Sequence, residues 1–182
     1  MSRWGGSWGG RAKFLSQFSH YLFRYATWIP PLIWFNTYVA EVTFIRGQSM
    51  YPFLNPHYHE SLRKDLCLVW KLYAHEGLKR GMVVTFSRNP DDPNKIAVKR
   101  IVGLEGDVVR TKPPYPYDHV CVPEGHVWVE GDGVLSRDSN YYGPISVRLI
   151  TGRITHILSP WERAGRVRWW EHPLRGGVNR AA

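Results

Sequence analysis

The sequence at residues 96–102 is IAVKRIV, and it continues as GLEGD at residues 103–107. Side chains two residues apart point to the same face of a β-strand. Lys99 therefore shares one face with Ala97 and Ile101, both of them apolar. This pattern predicts a β-strand that holds a lysine away from water.

Short runs of similar composition lie on both sides of this strand. They are rich in β-branched and aromatic residues, and clusters of Gly, Pro, Asn and Asp divide them. The predicted strands are 66–70, 82–86, 96–102, 108–111 and 126–129. No long amphipathic helix is expected between residues 41 and 150. The spacing predicts a mainly β fold of antiparallel strands.

The chain has 182 residues, which fits one ordinary domain, and a net charge of +9. The charge lies at the two ends, with +4 in residues 1–40 and +3 in residues 161–182. Residues 41–160 carry only +2. Because the body is nearly neutral, we do not expect the chain to bind nucleic acid.

The N-terminal region is basic and contains no acid before Glu41, as is typical of a mitochondrial targeting segment. We assign this character to residues 1–20. Residues 21–44 supply the ~20 residues that a spanning helix needs, although Pro30-Pro31 weaken it. We predict a single membrane anchor over residues 21–44, in contact with lipid. A kinked segment lying in the membrane interface is the alternative.

Ser49 follows this apolar segment, in the sequence GQSMYPFL at residues 47–54. A serine hydroxyl is a poor nucleophile unless a base removes its proton. Lys99 can be that base if burial disfavours its ammonium form, whose ordinary pKa is ~10.4. Lys95 lies beside a predicted turn and is less suited. The structural alternatives are a turn-capping serine and a lysine that extends to solvent.

A third block, GDGVLSRDSNYYGP, occupies residues 131–144. The three blocks in this order resemble the type I signal peptidase family of Ser-Lys proteases. The resemblance implies that Ser49 is the nucleophile and Lys99 the base. It also implies that Ser136 orients the lysine and that Asp138 is a structural carboxylate. The implied fold is a signal-peptidase-like antiparallel β body behind a single N-terminal membrane helix.

Other short sequences, such as GHVWVEGD at 125–132 and THIL at 155–158, resemble those of the mitochondrial inner membrane peptidases of this family. This resemblance covers about residues 28–163. It implies a catalytic domain over residues 45–160 that faces the intermembrane space. It further implies a heterodimer with a partner peptidase subunit of the same family, and precursor proteins with cleavable sorting signals as substrates. No metal or organic cofactor is required.

Two positions depart from the bacterial pattern. Asn140 replaces the arginine that pairs with the structural aspartate, and Arg137 is a possible substitute. Gly47 replaces a serine whose hydroxyl is one of two oxyanion donors, so the Ser49 N–H needs a different second donor. These departures leave open a non-catalytic, membrane-anchored subunit that stabilises its partner.

The remaining features carry no predicted chemistry. His57 and His59 are interpreted as loop histidines and not as metal ligands. Cys67 and Cys121 are expected to be buried free thiols, although their spacing does not exclude a disulfide. Residues 161–182 form a basic, Trp- and Arg-rich tail that we expect to dock on the body or on a partner.

Overall fold

The computed structural model describes residues 8–58, 60, 63–87, 96–172 and 178–180. The chain forms two compact units, Met1–Val39 and Ala40–Ala182. The second unit, which we call the β body, begins at Ala40.

The N-terminal unit contains two helices, α1 (Trp8–Ala26) and α2 (Ile29–Tyr38). The break falls just before Pro30-Pro31, because proline fits the first turn of a helix, where its missing N–H would have no partner in any case. The single helix predicted over residues 21–44 is therefore divided. Within the part of the chain that the structure describes, neither helix is both long and apolar enough to cross a bilayer.

The second unit is built from antiparallel strands, which confirms the predicted mainly β fold. The strands are β1 (Ala40–Phe44), β2 (Leu66–Trp70), β3 (Val83–Ser87), β4 (Ile96–Gly103), β5 (Asp107–Arg110), β6 (His119–Cys121), β7 (His126–Glu130), β8 (Ile145–Ser146), β9 (Ile150–Ser159), β10 (Gly165–Arg166) and β11 (Val178–Arg180). A short helix, α3 (Ser139–Tyr142), follows β7. Eight strands form one sheet in the order β1-β2-β9-β3-β4-β7-β8, with β10 beside β9, and β11-β5-β6 form a second sheet.

The five predicted strands are β2, β3, β4, β5 and β7, but four strands of the large sheet were missed: β1, β9 and the two-residue strands β8 and β10. β9 lies between β2 and β3 and contains Gly152, at which a Cβ would be 2.3 Å from the Val69 side chain. The glycine weakens the strand pattern in the sequence yet permits close packing in the sheet. β1 was missed because its residues continue the apolar N-terminal segment without a break.

Strand β4 separates two hydrophobic clusters. Lys99 is paired with Val84 of one cluster, and Arg100 with Val83 of the other. The two basic side chains therefore project to opposite faces of the strand, as the period of two predicts. Cluster 1 contains Ile45, Met50, Leu54, Cys67, Val69, Val83, Ile154, Ile157 and Val167.

Part of the predicted tail belongs to the β body. Residues 161–172, which we call the C-terminal segment, include β10 paired with β9 and the buried Val167 of cluster 1. Trp169 packs against the same cluster and lies so close to Gly81 that a Cβ there would be 3.1 Å from its carbonyl oxygen. Trp161 remains 87% exposed. The segment thus docks on the body, which was one of the two expected arrangements.

The two cysteines are free thiols in different environments. Cys67 is buried in cluster 1, and burial raises the pKa of its thiol from 9.0 to about 12. Cys121 is exposed, so the expectation that both thiols are buried is wrong for this residue.

We therefore predict that a thiol-alkylating reagent modifies Cys121 and spares Cys67 in the native protein, because only a thiolate within reach of solvent reacts. Peptide mass spectrometry measures the extent at each site, with Cys121→Ser as the control. Equal labelling of both residues in folded protein would contradict the assignment.

The raised pKa of Cys67 also makes the free energy of unfolding depend on pH. Above pH 9.0 the Cys67 thiol ionises in the unfolded chain but stays protonated in the folded chain. The contribution of this group to stability therefore falls as pH rises from 9.0 toward about 12.

Candidate active site

Ser49 lies in a loop between β1 and β2, and residues 46–54 are called the Ser49 loop below. Gly47 begins it with a φ of +87°, a conformation that L-residues rarely adopt. The N–H of Tyr51 donates to the carbonyl oxygen of Gln48 at 3.0 Å, which closes a turn around Ser49. Met50 is buried in cluster 1, whereas Ser49 is half-buried. The loop therefore anchors its methionine in the core and leaves the serine at the surface of the body.

The base of this loop is closed by a buried polar pair that sequence analysis missed. The backbone N–H of Asn55 donates to Asp65 Oδ2 at 2.9 Å, and that of Asp65 donates to Asn55 Oδ1 at 2.7 Å. The Asn55 side chain also donates to the Ile45 carbonyl oxygen at 2.9 Å. Asn55 itself has a φ of +55°, which asparagine tolerates better than most residues. The pair joins the two ends of the Ser49 loop.

Lys99 is buried, with 4% of its surface exposed, and its Nζ donates to Ser136 Oγ at 2.8 Å. This contact joins two of the four predicted site residues. Ile101, on the same strand face, belongs to the second hydrophobic cluster, and Ala97 packs against that cluster. We call it cluster 2, and it contains Ala74, Val84, Phe86, Ile101, Val127, Val129, Ile145 and Ile150. The apolar setting predicted for Lys99 is thus present.

Ser49 and Ser136 converge on Gly131, at the end of β7. A Cβ at Gly131 would lie 2.1 Å from Ser136 Oγ and 2.4 Å from the Ser49 carbonyl oxygen. Two residues on, the Gly133 N–H donates to that same oxygen at 2.9 Å, and a Cβ there would lie 2.3 Å from the Gln48 carbonyl oxygen. Only glycine permits such an approach, so these two positions bring the Ser49 loop against the Lys99–Ser136 pair.

Asp138 supports the same turn. Its Oδ2 accepts the Gly131 N–H at 3.0 Å, and its Oδ1 accepts the backbone N–H and the side-chain amide of Asn140 at 3.1 and 3.0 Å. Asn140 therefore contacts Asp138 at the position where the bacterial pattern in the sequence analysis predicted an arginine. Arg137, the other possible partner, is exposed. The missing arginine is thus replaced by an amide and not by a neighbouring cation.

Asn140 connects this carboxylate to a second one that the sequence did not single out. Glu130 is buried, and its Oε1 accepts from Asn140 Nδ2 at 3.3 Å and from Trp128 Nε1 at 3.1 Å. Lys112 pairs with Glu130 through its ammonium and donates its backbone N–H to Asn140 Oδ1 at 2.7 Å. Hydrogen bonds satisfy this buried charge, as its low exposure requires.

Arg100 and Asp132 form a second missed pair on the other face of β4. The guanidinium donates to both carboxylate oxygens, at 2.9 and 2.6 Å, and to the Gly81 carbonyl oxygen at 2.8 Å. It also lies 4.4 Å from the centre of the Phe53 ring, in the Ser49 loop. Since Asp132 lies between the two glycines, the pair holds their turn in place. An arginine beside the lysine and an aspartate between glycines were the available sequence signals.

Beside Ser136 lies an open cavity of about 260 Å³. Its lining includes Lys112, Val134, Asp138 and Tyr141. The cavity therefore borders the Lys99–Ser136 pair on its Ser136 side.

The other sequence candidates lie elsewhere. His57 contacts Glu60 at the surface, at 3.1 Å. His59 and Lys95 fall outside the described residues. Within the described ranges, no group of three or more His, Cys, Asp or Glu side chains is arranged to hold a metal ion.

A comparison with known proteins identifies the family to which this chain belongs. Residues 19–114 match the family described as signal peptidase, peptidase S26. The chain belongs to this family, and it is a serine peptidase.

Among its relatives is the mitochondrial inner membrane protease subunit 2 of Schizosaccharomyces pombe, 43% identical over 85% of this chain and 84% of that protein. The subunit 2 of Saccharomyces cerevisiae is 40% identical over 76% of this chain and 79% of its own length. The human mitochondrial inner membrane protease subunit 1 is 38% identical over 72% and 76%. A crystal structure of a signal peptidase I from Enterococcus faecalis V583 aligns with a TM-score of 0.35 and 20% identity, over 44% of this chain and 98% of that chain.

The contacts at Gly133 predict that Gly133→Ala lowers kcat/KM about 10²-fold, because a methyl group there must displace the backbone of the Ser49 loop. Peptide cleavage by the full chain in its native membranes measures the effect. The matched control is Leu135→Ala, two residues on, whose side chain is 75% exposed and whose loss should leave the rate unchanged. A fully active Gly133→Ala enzyme would show that the loop can shift without cost.

Proposed function

We propose that this chain is a membrane-bound serine endopeptidase that uses a Ser49–Lys99 dyad. The observation that carries the proposal is the buried Lys99, whose Nζ contacts Ser136 Oγ at 2.8 Å beside the Ser49 loop. Removal from water disfavours the ammonium form of a lysine, and a neutral amine can accept a proton. Ser136 holds that amine by a hydrogen bond, and Asp138 holds the turn that carries Ser136.

In the proposed reaction, Ser49 Oγ attacks the scissile carbonyl carbon while neutral Lys99 takes the hydroxyl proton. The C–N bond then breaks, and Lys99 returns the proton to the leaving amine. Neutral Lys99 then takes a proton from water, whose oxygen attacks the acyl carbon. The ester C–O bond breaks, and Lys99 returns the proton to Ser49 Oγ. The developing oxyanion needs donors at hydrogen-bond distance, and the Ser49 N–H is one of them.

For substrate and location, we propose the removal of sorting presequences from proteins delivered to the mitochondrial intermembrane space. The relatives are named mitochondrial inner membrane proteases, which supports the compartment. The basic, acid-free N-terminus supports it independently. Because these relatives are named as subunits 1 and 2, we propose a heterodimer with a second peptidase subunit of the same family.

For topology, we propose that residues 1–20 face the matrix, that residues 21–44 meet the membrane and that the β body faces the intermembrane space. The apolar side chains of α2, such as Leu32, Ile33 and Trp34, are more than half exposed in the isolated chain. Such a surface suits lipid or protein better than water. Positive charge before an apolar segment favours retention of that end on the matrix side.

Import of labelled precursors into mitochondria tests the function. Mitochondria without this chain should accumulate uncleaved intermediates, and the wild-type chain should restore cleavage at the same peptide bond. Protease added after rupture of the outer membrane should digest the β body. Normal precursor maturation without the chain would refute the function, and a protected β body would reverse the topology.

A further inference from the structure

The C-terminal segment (residues 161–172) lies against the Ser49 loop. β10 pairs with β9, and the Val167 N–H donates to the Thr155 carbonyl oxygen at 2.8 Å. The Val167 side chain then enters cluster 1, which also contains Met50 and Leu54 of the loop. The C-terminal segment therefore shares a core with Met50, the residue next to Ser49.

Arg163 contacts the loop directly. Its guanidinium donates to the Phe53 carbonyl oxygen at 2.6 Å and pairs with the carboxylate of Asp65. Asp65 in turn accepts the backbone N–H of Asn55 at 2.9 Å. A planar guanidinium can hold two acceptors in fixed geometry, and here these belong to the end of the loop and to its base.

His172 contacts the same loop through the Phe53 side chain. The two rings meet edge to face, with their centres 4.3 Å apart. The Phe53 ring also lies under the guanidinium of Arg100, which is hydrogen-bonded to Asp132. Asp132 lies between Gly131 and Gly133, which approach the carbonyl oxygens of Ser49 and Gln48. A continuous series of contacts therefore leads from His172 to the backbone of Ser49.

We propose that the C-terminal segment is a brace that sets the position of Ser49, and that Arg163 and His172 are positioning residues for the peptidase reaction. The proposal rests on the proposed function of Ser49 as nucleophile. Neither side chain reaches the reacting atoms through these contacts. Their effect is exerted on the loop backbone, so it should appear in the rate of the chemical step and not in substrate affinity.

The test compares full-length variants in native membranes, with the partner subunit present and its own nucleophile disabled. His172→Ala should lower kcat about tenfold and change KM less than twofold, with rates expressed per folded chain. His172→Phe should restore most of the rate because it keeps the ring contact with Phe53. Arg163→Lys keeps a cation beside Asp65 but cannot hold Asp65 and the Phe53 carbonyl oxygen at the same time in fixed geometry. Its kcat should therefore also fall about tenfold.

Glu171→Ala is the matched control. Its side chain is 53% exposed and lies 3.5 Å from Arg168 at the surface, so the rate should not change. An unchanged kcat in His172→Ala, a His172→Phe variant no better than alanine, or a change confined to KM would each overturn the brace. A Ser49→Ala variant is run beside them. If it remains active, the proposed function fails; if it is inactive while His172→Ala is normal, only the brace fails.

Discussion

Replacing Ser49 with alanine is expected to reduce the cleavage activity of this chain by about 10⁴-fold or more, because the proposed acyl intermediate forms on the Ser49 hydroxyl that alanine lacks. The protein should remain folded. The contact that Ser49 makes with Gly133 uses the backbone carbonyl, which alanine retains. Activity is measured on precursor peptides with the nucleophile of the partner subunit disabled, and folding by thermal unfolding.

The control is Ser146→Ala, at a serine of β8 whose hydroxyl accepts the Arg148 N–H at the surface. Undiminished processing by Ser49→Ala would remove this residue from the chemistry. It would favour the alternative, a non-catalytic subunit that stabilises its partner.

Lys99→Arg is expected to be as inactive as Lys99→Ala, because a guanidinium is not deprotonated in proteins. The larger cation should also destabilise the fold, since the site is only 4% exposed. Lys99→Met separates the two effects: it preserves length and packing, so the protein should be stable but inactive. Activity is measured as kcat/KM, and stability by denaturant unfolding.

Lys95→Arg serves as the control, because it makes the same change at the predicted turn before β4. Substantial activity in Lys99→Arg would mean that Lys99 acts through its charge and not as a base.

Local patterns were enough to predict much of the fold. β2 and β4 have clear β-branched or aromatic composition, and the structure has both. β9 was missed because its neighbours in the sheet, and not its own composition, make it a central strand. The anchor was predicted as one helix because the prediction rested on the length of the apolar segment. In the structure a new helix begins at Ile29, just before Pro30-Pro31, and the segment is divided.

The four site residues were predicted because each lies in a distinctive short block of sequence. The structure gathers them around Gly131, which carries no side chain and so gave no chemical signal of its own. The pairs Arg100–Asp132 and Asn55–Asp65 could not be predicted, because each joins segments whose approach depends on the whole sheet. Their roles in catalysis, like those of Ser49 and Lys99, stay predictions.

The central position of β9 also has a consequence for the order of assembly. β2 and β3 pair with β9 and not with each other, so the large sheet cannot close until residues 150–159 are available for pairing. Pairings between segments so far apart in sequence form late and slowly. A chain that lacks β9 would already carry Ser49 and Lys99, but the sheet that joins their supports would be unfinished. We therefore expect the proposed peptidase activity to appear only after nearly the whole β body has folded.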